Sequence, residues 1–586
     1  MNTVPVATVS ARPELRPESS VTTSFEQVEA IAQHLTSRKH AWAQVGIPER
    51  IEYLRRCMDG VMAAAEAWAE AACIAKGIDP ATNLAWEEWF AGPAITLWNL
   101  RLLVEALQAG GQPKPSQVRW REGQAIAQVF PDNGMDWLLW LGFRGEIWMQ
   151  PGQAPTQGLV YRKSEPQDSH LQGKLALVLG AGNVSAIAPM DALYKLFAEN
   201  QVVLLKMNPV NAYVGPFLEQ AFQPLRQDGF FEVVYGGTDL GQHLCQHPLV
   251  DTIHITGSHR THDAIVWGST PAEQEQRKAT NQPINSRTIT SELGCVTPVL
   301  VVPGKWSKSD LEFQARQLAG AIVHNASFNC ASAKVVVTAK NWAQREEFLA
   351  ALHRELANTP ARAAYYSGAA QRYQAFLDRY PQAQAIEKAD RQPAFIPHPP
   401  SPTLPWTILP DVPARLGEYA LTEEAFCGVL AEVSLEAADT GEFLQRAVEF
   451  ANQQVWGNLS CALLVDPVTQ RQYVQEVETA IATLRYGAIG VNVWSAVLFS
   501  IPVLSWGAFP GNPLTDIGSG QGVVHNTYLF EYPQKSVLYA PFHIRPLPVW
   551  VTRHGNPHQV VQRFTRFQRH PSWQLLSGIV LAALRG

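Results

Sequence analysis

Apolar positions change their period along the chain, and each change marks a different kind of structure. From residue 25 to about 107 they recur at helical spacing, with an alanine-rich run at 61–72, which predicts a helical entry region. Between 144 and 174 short apolar runs (146–149 and 158–162) are separated by glycine and proline, which predicts a projecting antiparallel hairpin. The next hundred residues alternate apolar strands at 175–179, 202–206, 231–235 and 252–256 with helical stretches at 189–199, 214–227 and 239–246. That alternation is the mark of a parallel α/β sheet. A second α/β segment follows from about 293 to 500, with an irregular proline-rich loop at 391–413.

A parallel sheet binds ligands beyond the carboxyl ends of its strands. Those ends carry Gly180-Ala181-Gly182-Asn183, Lys206-Met207-Asn208-Pro209, Gly236-Gly237-Thr238 and Thr256-Gly257-Ser258. All four are glycine-rich or polar, so the candidate chemistry gathers on one edge of the sheet.

Composition adds limits. The 586 residues are 46% hydrophobic and 17% charged, enough apolar side chain to offset chain entropy in a packed protein of two to four domains. A net charge of -6 gives no footprint for nucleic acid. No stretch reaches the roughly 18 to 20 apolar residues of a membrane span, and residues 1–24 lack the pattern of a secretory signal and read as a disordered arm. Seven scattered cysteines form no CxxC pair, which argues against a disulfide framework or a zinc site and fits the cytoplasm.

Taken in order, Gly180-Ala181-Gly182-Asn183, Val203-Leu204-Leu205-Lys206, Ile255-Thr256-Gly257-Ser258, Ser291-Glu292-Leu293-Gly294, Asn325 to Cys330 and Glu423-Glu424-Ala425-Phe426 resemble the aldehyde dehydrogenase superfamily over roughly residues 25 to 540. The resemblance implies a Rossmann-type cofactor domain, here 25–292 with the hairpin at 144–174 serving oligomerisation, and an α/β catalytic domain at 293–500. A closing and oligomerisation segment at 501–540 and a basic C-terminal extension at 541–586 complete that division.

The same resemblance assigns roles. Cys330 is the nucleophile, since a thiolate can form the tetrahedral intermediate that carbonyl oxidation requires. Asn183 donates to the oxyanion, together with the backbone N–H of Cys330. Glu292 is the general base for the deacylating water. Lys206 reaches the adenosine ribose or its phosphate, Gly257 and Ser258 meet the cofactor phosphates at a helix start, and Glu424 holds the nicotinamide ribose. No metal is called for. Pro209 stands where NAD-preferring relatives have a ribose-binding glutamate, so NAD and NADP are both credible cofactors.

Departures from the family pattern keep alternatives open. Gly-Ala-Gly-Asn replaces the usual Pro-Trp before the asparagine, Cys295 replaces a glycine, and Phe426 is followed by Cys427-Gly428. The expected activity is NAD(P)-dependent oxidation of a small-molecule aldehyde to the acid by a homodimer or higher homo-oligomer. The alternatives are a coenzyme A-dependent acylating dehydrogenase and an inactive scaffold. The tail has six arginines and no acid over 541–586, with arginine and aromatics interleaved at 563–569, a composition suited to weak contact with a membrane surface. The opposing reading packs those aromatics on the protein and lets the arginines reach water.

Overall fold

The structure, a computed structural model, describes residues 22–162, 172–386 and 401–586. Most of the expected N-terminal arm and the first part of the proline-rich loop, 391–400, lie outside them. The last three arm residues are ordered: Thr23 N donates to Tyr235 O, and Ser24 caps the first helix in a reciprocal box with Gln27. The described end of the loop is also not irregular, because it forms the short strands Thr403–Leu404 and Trp406–Leu409.

The entry region is helical as its periodicity predicts. Helix α1 spans Phe25–Ala43 and α2 Ile47–Ala75, the second built on the alanine-rich run. Helix α1 packs on strands of the first α/β sheet and α2 on helices beside it, and Leu35, Trp42, Leu54 and Trp68 are buried in the core they share.

That sheet has six strands. Its parallel members are β1 (Lys174–Leu179), β2 (Gln201–Lys206), β3 (Phe231–Val234), β4 (Thr252–Gly257) and β5 (Thr288–Leu293). They lie in the order 5-4-1-2-3, with the short strand Gly520–Gln521 antiparallel outside β5. Strands buried on both faces need continuous apolar sequence, which is why β2 reads Gln-Val-Val-Leu-Leu-Lys and is buried throughout. The strand order turns at β1, whose neighbours are β2 on one side and β4 on the other, so the crevice beyond β1 and β4 is the topological switch point. Helix α3 (Ile187–Leu193), running on into a π-helical turn over Tyr194–Ala198, is the first crossover. Helix α4 (His259–Trp267) starts directly beyond β4.

The second sheet has eleven strands, and the expected hairpin is not a separate projection. Strand Arg144–Met149 pairs with Gln124–Phe130 on one side and with Pro533–Tyr539 on the other. The latter pairs in parallel with Ala488–Val491, so the antiparallel strands extend the second sheet of the same chain. Helix α5 (Lys308–Val323) leads into the cysteine loop of this half of the molecule. The run at 158–162 is no strand: Gly158 is left-handed and Leu159–Tyr161 is a 3-10 turn, while 163–171 lies outside the described residues. Alternating hydrophobicity locates the first strand but not its partners, which come from 20 residues upstream and nearly 400 downstream.

The extension folds as two helices, α6 (Pro557–Arg569) and α7 (Trp573–Ala583). Phe564 and Phe567 are buried, Phe564 meeting Trp98 edge-on, while Gln568 accepts from Arg101 and Arg569 pairs with Asp59. The two phenylalanines interleaved with arginine therefore pack on the protein, while Trp573 is exposed. Among the described residues no helix is long and apolar enough to cross a membrane.

Candidate active site

The seven residues singled out from the sequence line one cleft of about 1080 Å³, large for a ligand site. Asn183 follows β1, Lys206 ends β2, Gly257 ends β4 and Ser258 caps α4, while Glu292 stands in β5 and Cys330 and Glu424 come from loops of the larger sheet. A backbone built for close approach fits this place: a side chain on Gly182 would fall 2.8 Å from Asn208 Oδ1.

At one end of the cleft the partly exposed Cys330 thiol donates to Glu292 Oε1 at 3.2 Å. Burial, and then the Glu292 carboxylate, push that thiol well above its ordinary value, so the resting sulfur holds its proton. Glu292 is 2% exposed, and burial followed by the charge of Asp191 raises it to about 7. Moving the proton from this thiol to the carboxyl is therefore uphill.

Asn183 is held rather than free. Its Nδ2 donates to Phe328 O at 3.1 Å, fixing it against the cysteine loop. Glu424 lies in the same wall, 3.5 Å from the Lys334 ammonium, and a side chain on Gly294 would fall 2.0 Å from its Oε2. Burial raises the Glu424 carboxyl and Lys334 pulls it back. Farther along, burial lowers the Lys206 ammonium, which makes only a long contact to Met207 O at 3.4 Å and so keeps hydrogen-bonding capacity for a ligand. Ser258 Oγ accepts from Thr261 N at 3.2 Å, so its side chain serves the helix cap.

Sequence reasoning missed what holds the cysteine loop. Asn325, Ala326 and Ser327 take three consecutive left-handed conformations, with φ of 51, 54 and 68°. None is glycine, so the loop costs strain that its surroundings must offset. The offset is a buried polar network. Glu87 Oε2 accepts from Asn325 N at 3.1 Å and is paired with Arg362. Lys76 Nζ donates to Asn325 Oδ1 at 3.1 Å and Asn183 O at 2.9 Å and pairs with Glu88. Tyr365 OH donates to the same Asn325 oxygen at 2.8 Å. The one signal in the sequence is Trp86-Glu87-Glu88-Trp89, two acids between aromatics in a segment whose periodicity predicts burial.

Comparison with known proteins accords with this arrangement. The sequence model of the aldehyde dehydrogenase family matches residues 177–371, from β1 through the cysteine loop. The match covers about a third of the chain, so it marks this segment as similar to that family. Solved structures of the family share its fold at low identity. The aldehyde dehydrogenase KauB from Pseudomonas aeruginosa is 16% identical with a TM-score of 0.61, over 88% of this chain and 89% of that one. An NAD-dependent aldehyde dehydrogenase from Sinorhizobium meliloti is 18% identical with a TM-score of 0.59, over 90% and 89%. The NADP-dependent glyceraldehyde-3-phosphate dehydrogenase from Bacillus halodurans C-125, complexed with NADP, is 15% identical with a TM-score of 0.58, over 88% and 91%. No curated protein matches the chain. Beyond its two sheets the chain carries the α6–α7 extension, which closes over the entry helices.

Proposed function

We propose that the chain oxidises an aldehyde to a carboxylic acid with NAD or NADP, through a thioester on Cys330. The observation that carries this reading is the Cys330–Glu292 hydrogen bond in a cleft that Lys206, Gly257, Ser258 and Glu424 also line. The donor set suits a dinucleotide: an ammonium with spare donors at the end of β2, the N-terminus of α4 over the cleft, and a carboxylate near the cysteine. The absence of an acid at Pro209 leaves the 2′-phosphate of NADP unopposed. Bound NAD(P) supplies the hydride acceptor.

In this reading the Cys330 proton passes to Glu292 as sulfur attacks the carbonyl carbon. Asn183 Nδ2 and the Cys330 N–H donate to the oxygen of the resulting thiohemiacetal. After the hydride has left carbon, Glu292 releases that proton to solvent and takes another from water, whose hydroxide adds to the thioester, and the acid departs as the thiolate is restored. A carboxylate already bonded to the cysteine favours hydrolysis over transfer to coenzyme A. The exposed edge strand Gln117–Arg121, with Trp120 60% exposed, supports assembly into a homo-oligomer.

The test is stopped-flow detection of NADH or NADPH with a panel of aldehydes, coenzyme A present or absent. Turnover without coenzyme A is expected, lost in Cys330→Ala while cofactor still binds. Glu292→Gln should leave a burst of one reduced cofactor per site and no steady state. Turnover by Cys330→Ala refutes the assignment, and products formed only with coenzyme A select the acylating alternative.

A further inference from the structure

Helix α7 is apolar on both of its faces. The inner face buries Leu576, Ile579 and Ala582. Trp573, Ser577, Leu581 and Leu584 recur at helical spacing on the other side, and all four are exposed, Trp573 to 61%. No charged residue occurs from Trp573 to Ala583. A surface helix turns polar residues outward, so this outer face lacks the composition of one left in water. The short helix Gly134–Leu139 packs against α7. Its segment is anchored by Trp140, stacked on Trp550 of the extension, and by Phe143, edge-on to the same ring. With those rings inward, Trp137, Leu138 and Leu141 are exposed, Trp137 to 58%. Six of the fifteen exposed large apolar side chains among the described residues thus fall in two adjoining segments, a concentration that marks an interaction surface.

Basic side chains border it. Arg585 follows α7 and is exposed, and Arg563 of α6 lies over α7, its Nη1 2.8 Å from where a side chain on Gly578 would begin. Arg566 is exposed three residues farther along α6. None of these three makes an ion pair among the described residues, whereas Arg553 pairs with Glu355 and Arg569 with Asp59. The 134–139 helix brings two acids to its side of the patch. Asp132 accepts from Tyr528 OH, and Asp136 is buried and accepts from Asn133 Nδ2. The α6–α7 side, with no acid over 541–586, is therefore a positive rim on an apolar centre.

We propose that this face is a docking surface for an anionic phospholipid membrane. The two tryptophans and four leucines enter the boundary between headgroups and acyl chains, where an indole ring with one polar edge is favoured, and Arg563, Arg566 and Arg585 meet lipid phosphates. The contact is peripheral, because α7 has 11 residues and a span needs about 20. A second copy of the chain suits this face less well, since pairing about a two-fold axis sets the same arginine rim against itself. The proposal is independent of the reaction at Cys330.

The test is co-sedimentation of the purified full-length protein with vesicles of phosphatidylcholine alone, or of phosphatidylcholine and phosphatidylglycerol in equal parts. Binding to the mixed vesicles and not to phosphatidylcholine alone is expected, weakening at least about tenfold as ionic strength rises from about 0.1 to about 1 M. Trp573→Gln/Leu581→Gln and Arg563→Gln/Arg585→Gln should each bind the mixed vesicles about tenfold more weakly. All four positions are exposed, so thermal melting of both variants should match wild type. Leu416→Gln, the loss of an exposed leucine on the loop before Tyr419 of the cleft wall, should bind as wild type. No binding to mixed vesicles, equal binding to both kinds, or unchanged binding by folded patch variants overturns the proposal. So does light scattering that shows a dimer in wild type and a monomer in Trp573→Gln/Leu581→Gln, which would give this face to a second copy.

Discussion

Replacing Lys76 by Met isolates the network under the cysteine loop. Lys76 and Glu88 are paired at 2.8 Å with both side chains 1% exposed. The other acceptors of Lys76 keep partners in the variant: Asn325 Oδ1 retains Tyr365, and Asn183 O retains Tyr365 and Asn325 Nδ2. The loss therefore falls on Glu88, whose carboxylate is left unpaired in the interior. It must be protonated instead, which for an acid of ordinary value 4.5 costs about 3.4 kcal/mol at pH 7. That agrees with the about 3 to 5 kcal/mol for breaking a buried pair. The penalty also has a definite sign with pH. A carboxyl whose folded value is raised contributes stability that is present below its unfolded value and lost as pH rises through the folded one. The penalty of Lys76→Met should thus grow with pH between 5.5 and 7.5, by at most about 2.7 kcal/mol, since burial already raises Glu88 in the wild type. Urea unfolding followed by tryptophan fluorescence measures it, and Lys76→Met/Glu88→Met should recover most of the loss. A penalty below about 1 kcal/mol at pH 7.5, or one independent of pH, would refute the account.

Other outcomes are expected from the same structure. With the Glu292 carboxyl at about 7, deacylation should weaken as pH falls through neutrality and plateau above it, which a steady-state pH profile checks. Lys206→Ala should weaken cofactor binding about tenfold, about 1.4 kcal/mol, while leaving thermal stability close to wild type, as fluorescence titration would show. Phe567 is 1% exposed in the core beneath α6, so Phe567→Ala should cost about 3 to 5 kcal/mol in chemical unfolding. A small effect there would mean that the extension does not stay docked on the entry helices.

The parts of the fold legible in the sequence are those set by local pattern. Strands β1 to β4 fall within a residue or two of their apolar runs, because a strand buried on both faces has no polar position to blur its ends. Their glycine-rich ends, added to the order of motifs, were enough to bring Asn183, Lys206, Gly257, Ser258, Glu292, Cys330 and Glu424 to one cleft. What stayed hidden depends on contacts between distant segments. Strand Arg144–Met149 looked like half of a local hairpin, yet its register is set by residues 533–539, and no local signal names that partner. Asp191 stands among apolar residues at 184–193, where a lone acid reads as a surface position of an amphipathic helix. It is instead buried, and Thr256 of β4 donates to it. Lys76, Glu88 and Asn325 meet across 249 positions of sequence for the same reason. Chemistry that needs a motif can be read from one stretch of chain. The groups that orient a motif and set its charge come from wherever the fold leaves a buried acceptor to be satisfied, and only the assembled structure says where that is.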